Sequence, residues 1–160
     1  MNDSMEKFLL AMLLTIRELE NPLNSTEKDS LYLVAQQLFL RPNTWDTNIK
    51  SNLIKITNNN SSLNTIFQEI KSQIEKIPEI PQNLIPSPEE LATIIPPKFQ
   101  SSQRPILKPD DSNEDIPGII NLSIQVFSSP EPSETVKKMS KLERLLNLIR
   151  QKMQELEGRR

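Results

Sequence analysis

The residues of this chain best suited to chemistry are carboxylates, and they come in pairs: Glu18 with Glu20, Glu89 with Glu90, and Asp110 with Asp111. Acid–base work or metal binding at such pairs requires two carboxyl groups to converge on a bond or an ion at a set spacing. Neighbouring residues on a helix or loop point apart, and the 160-residue sequence holds no histidine and no cysteine to join them. Zinc sites, thiolate nucleophiles, catalytic triads and disulfide frameworks therefore lack their parts. Glycine stands only at 118 and 158. Neither a Walker loop nor a dinucleotide fingerprint can then be written, since both use glycines to bring backbone N–H groups onto phosphate. The carboxylates read as solvated charge, and the expectation is a protein that is not an enzyme and holds no metal or cofactor.

The formal net charge of −2 argues against nucleic acid as the main partner, because phosphate binding draws on a basic face. The charge is unevenly spread: residues 1–77 carry 8 basic and 9 acidic groups, 78–132 carry 3 and 8, and 133–160 carry 8 and 4. The basic tail could meet phosphate or an acidic protein, although cations also favour helix C-termini. The apolar run Phe8–Leu14 is interrupted by Arg17 and Glu18, well short of the roughly 20 residues of a membrane span. Asp3 and Glu6 spoil a positive leader and no small-residue cleavage site follows. A cytoplasmic protein with no membrane contact is expected.

Positioning falls to helices. Asp3 with Glu6 has the spacing of a capping box, and Met5, Phe8, Leu9, Met12, Leu13, Ile16 and Leu19 form a stripe that Leu10 and Leu14 widen. A helix to about Glu20, buried on several sides, is predicted. A second starts at Asn24 or Ser25, with Glu27 completing a box and Leu31, Val34, Ala35, Leu38 and Phe39 at helical spacing, and Pro42 ends it. Asn43 or Thr44 caps a third, carrying Trp45, Ile49, Leu53 and Ile56; Trp45, the single tryptophan, reads as core. The fourth, from about Ser62 to Ile77, presents Leu63, Ile66, Phe67, Ile70, Ile74 and Ile77 on one side. The fold class predicted is all-α, with a small four-helix bundle over residues 1–77 that should resist proteolysis by itself.

Of the 13 prolines, 11 lie between Pro78 and Pro132, and this acidic stretch reads as a disordered linker over 78–132. Two islands interrupt it. Ser87-Pro88-Glu89-Glu90 orders a cap, a first-turn proline and a box glutamate, predicting a short helix over 88–95. Ile120, Leu122, Ile124 and Val126 alternate with Asn121, Ser123 and Gln125, the period of a strand over 120–126. A lone strand needs a partner edge, so these four apolar residues are candidate partner contacts.

Residues 133–160 predict a C-terminal amphipathic helix. Met139, Leu142, Leu146, Ile149, Met153 and Leu156 follow heptad spacing, with Lys138 and Lys152 at g and Glu143 and Glu157 at the following e positions. These six are the second set of candidate partner residues, for a coiled coil with another copy or a second protein; a helix docked on the bundle fits the same pattern.

A small helical N-terminal module over roughly residues 1–77, then a proline-rich tether and short interaction motifs, resembles the adaptor and effector-associated proteins of bacterial signalling and conflict systems. Ile124-Gln125-Val126 resembles the Ile-Gln-Val/Ile centre of amyloid-forming homotypic motifs, with Phe127 where those motifs place glycine. The resemblance implies a non-catalytic adaptor whose bundle binds one protein while the C-terminal helix self-associates or makes a second contact. The alternatives are an assembly subunit of a larger complex and a nucleic-acid accessory protein using the basic helix.

Overall fold

A computed structural model describes residues 3–20, 23–77, 80–86, 90, 118–129 and 131–158. Among them are seven α-helices and no strand: α1 (Asp3–Glu18), α2 (Ser25–Leu40), α3 (Lys50–Asn58), α4 (Ser61–Glu75), α5 (Gly118–Ser128), α6 (Pro132–Lys137) and α7 (Ser140–Gly158). None of the described helices is long and apolar enough to cross a membrane.

The width of the apolar stripe on α1 explains its place. Leu9, Leu10, Met12, Leu13, Leu14 and Ile16 are all buried, and α4, α5 and α6 pack around the helix. The polar Thr15 is buried among them and its Oγ1 donates to the Ala11 carbonyl at 2.6 Å, so its hydroxyl carries no desolvation debt. In the first half of α1, Phe8 meets Trp45 edge-on at 5.4 Å and Phe67 at 5.0 Å between ring centroids, joining three helical segments through one aromatic cluster. Trp45 is buried in it.

The third helix starts differently from the plain α-helix that its spacing suggests. After a 3-10 turn at Pro42–Thr44, residues Trp45–Ile49 form a π-turn before α3 begins. Trp45, Ile49 and Leu53, four apart twice over, all stay buried across this junction.

The strand expected over 120–126 is corrected by α5. Ile120, Leu122, Ile124 and Val126 lie in a helix, together with Ile119 and Phe127, and all six are buried. The alternation misleads because two of the three polar positions, Ser123 and Gln125, are buried too and bond locally: Ser123 Oγ donates to the Ile119 carbonyl at 2.8 Å and Gln125 Nε2 to Asn121 Oδ1 at 2.9 Å. A helix enclosed on all sides shows no polar face and so no 3.6-residue period. It packs on α2 and α1, covering the side of α2 that carries Leu31, Val34, Ala35 and Leu38. Residues 1–77 consequently share their core with a helix from within the stretch 78–132. That stretch is itself anchored at its start, where Ile80 and Ile85 are buried around a 3-10 turn at Gln82–Leu84. Residues 91–117 lie outside the described residues, and of the predicted helix 88–95 only Glu90 is described, whose carboxylate accepts from Lys141 Nζ.

The C-terminal helix is broken in two at Lys138-Met139. Its first piece, α6, packs beside α1, while α7 lies against α4 and the 3-10 turn at Gln82–Leu84. Lys137 Nζ reaches the Leu19 carbonyl at 3.5 Å, placing a cation at the C-terminal end of α1. Arg17 contacts Glu143 at 3.3 Å, and Glu18 contacts Arg150 at 3.5 Å.

Candidate docking groove

Eight of the ten partner residues read from the sequence are inside the molecule. Ile120, Leu122, Ile124 and Val126 belong to the α5 core, and Met139, Leu142, Leu146 and Ile149 are buried where α6 and α7 meet the bundle. Met153, nearer the end of α7, is half-buried, and the side chain of Leu156 lies outside what the structure describes. The heptad seam is thus occupied by intramolecular packing over its first four positions.

Of the carboxylate pairs, only Glu18 and Glu20 are described in full. Glu18 is held by Arg17 and Arg150, Glu20 is exposed, Glu90 pairs with Lys141, and Glu89, Asp110 and Asp111 lie outside the described residues. Among the described residues no group of three His, Cys, Asp or Glu side chains could hold a metal ion. On the C-terminal helix, Lys141 and Arg150 are engaged in ion pairs, which thins the basic face available to phosphate.

An open groove of about 550 Å³ lies between α2 and the segment from Thr44 to Asn59. Its position follows from the amphipathicity of α2. One side of that helix, from Leu31 to Leu38, is consumed by α5, yet its opposite side carries Leu33 and Leu40, which are 58% and 71% exposed. Both line the groove, and Ile56 lines its other wall. Gln37 and Asn52 bond across it at 3.0 Å, fixing α2 against α3. The π-turn contributes Asn48, and Gln36 and Asn59 complete a set of five carboxamides. π-Turns recur at functional sites because they reposition side chains without ending a helix.

The electrostatics of the groove are one-sided. Arg41 and Lys55 line it, no carboxylate does, and among the described residues neither cation forms an ion pair. All four exposed large hydrophobic residues among those described, Leu33, Phe39, Leu40 and Ile54, lie on α2 or α3.

Comparison with protein-family models, with curated proteins and with solved structures finds no match to this chain. The groove is not legible from the buried stripe of α2, which is made of Leu31, Val34, Ala35 and Leu38. The signal was present as a surplus: Leu33 and Leu40 fall off the stripe formed by Leu31, Val34, Ala35 and Leu38.

Proposed function

We propose that this chain is a non-catalytic adaptor that holds a segment of a partner protein in the groove between α2 and α3. The observation that carries this reading is the concentration of exposed apolar side chains on those two helices, with Leu33 and Leu40 on the rim of an open groove. Isolated surface leucines are ordinary, but an apolar rim around a concave, amide-lined floor is the form of a peptide-binding site. The second contact expected of the C-terminal helix falls, in this reading, to the last turns of α7 around Met153, because the earlier seam positions are buried.

Selection from a random peptide-display library on the full chain tests the proposal. Sequences should be enriched whose binding is lost on Leu33→Asp with Leu40→Asp, two exposed positions where the substitution leaves the core intact. Enrichment of nothing, or of peptides indifferent to this double variant, would remove the groove from the account.

A further inference from the structure

Resting on that reading of the groove, we infer that its ligand is an acidic peptide segment bound in an extended, polyproline-II-like conformation, with two apolar anchors three residues apart. Three features of the groove specify this ligand.

The first is charge. A groove carrying Arg41 and Lys55 and no carboxylate attracts acidic chains and repels basic ones, and with both cations exposed at the lining neither needs to be released from an internal partner.

The second is the carboxamides. A bound helix satisfies its own backbone and leaves Gln36, Asn48 and Asn59 only its side chains to bond, whereas an extended segment also presents free N–H and C=O groups. Each carboxamide offers both a donor and an acceptor to such a backbone.

The third is spacing. Leu33 and Leu40 are seven residues apart on α2, which at 1.5 Å per residue sets them about 10 Å apart along the groove. In a polyproline-II segment, residues i and i+3 lie on one side and about 9 Å apart. In a β-strand, residues three apart face opposite sides. A helix presents i and i+7 at the same distance, so the carboxamides select the extended chain and the spacing then sets its anchors at i and i+3.

The test uses fluorescence anisotropy of the full chain with a fluorescein-labelled peptide of about twelve residues, built from Asp, Glu and Pro with two leucines three apart. Three comparison peptides replace its acidic residues by Lys, replace its leucines by Ser, or place the same acids and leucines in an alanine-rich helix former. The acidic extended peptide should bind most tightly. Arg41→Glu with Lys55→Glu should weaken it by about tenfold, each exposed charge being worth up to roughly fivefold, and the same double variant should now bind the Lys peptide. Circular dichroism of the variant checks that these exposed substitutions leave it folded. Equal binding of acidic and basic peptides, tighter binding of the helical form, or no charge-swap rescue would overturn the inference. If display selection yields neutral or basic sequences that still depend on Leu33 and Leu40, the groove stands as a docking site and the acidic extended ligand falls. If it yields no groove-dependent sequence, both fall. A second copy as occupant would show as a dimer in sedimentation that Leu40→Asp dissociates, which also overturns the acidic-peptide assignment.

Discussion

Glu27 and Asn60 join the starts of two helices through one carboxylate. Glu27 Oε1 accepts from the Asn24 backbone N–H at 2.9 Å, closing the capping box of α2, and its Oε2 accepts from Asn60 Nδ2 at 2.8 Å. Asn60 Oδ1 in turn accepts from the Leu63 N–H at 3.1 Å and caps α4. Glu27 is buried and the three bonds are partly withdrawn from water, which strengthens them.

Glu27→Ala is expected to lower stability by about 2–3 kcal/mol, combining a lost cap with an unpartnered carboxamide on Asn60. Asn60→Ser keeps a capping oxygen for α4 but loses the link. Urea unfolding of both single variants and the double variant should give a coupling above about 0.5 kcal/mol. Additive effects would mean that the two caps act separately.

Residues 1–77 taken alone should fail to unfold cooperatively, because α5 covers the buried side of α2 and part of α1. Thermal denaturation of this fragment by circular dichroism should give a broad, non-sigmoidal loss of helix. In the full chain, Leu122→Ala should cost about 2–5 kcal/mol, the range for a fully enclosed leucine. A sharp transition for the fragment would contradict the shared core.

The contrast between α4 and α5 shows what the sequence could and could not disclose. On α4, Leu63, Phe67, Ile70 and Ile74 face inward while Thr65, Glu69 and Ser72 face water, so periodicity names both the element and its buried side. On α5 every residue from Ile119 to Ser128 except half-buried Asn121 is buried, and the pattern has no solvent face to report. The same ambiguity governs α7: Met139, Leu142, Leu146 and Ile149 make a heptad seam in sequence, and a seam does not say whether it meets another chain or its own bundle. The groove is harder still, since it depends on how two helices are set against each other by Gln37 and Asn52.

Leu146→Asp with Ile149→Asp places two charges inside the molecule, since both leucine and isoleucine are buried. The expected outcome is global destabilisation, seen as a large fall in the urea midpoint, because an unpaired buried charge is costly. Arg150→Ala, which removes an exposed ion pair with Glu18, should change stability by less than about 1 kcal/mol. A double-Asp variant as stable as the unsubstituted chain would show that α7 detaches readily from the bundle.

Amide resonances provide the most direct test of docking at the groove. When a display-selected peptide is titrated into the ¹⁵N-labelled full chain, the backbone amides of Leu33, Leu40 and Ile56 and the carboxamides of Gln36, Asn48 and Asn59 should shift together with one binding curve. Residues of α5, enclosed in the core, should stay in place. Shifts confined to α6 and α7, with the groove carboxamides silent, would contradict docking between α2 and α3.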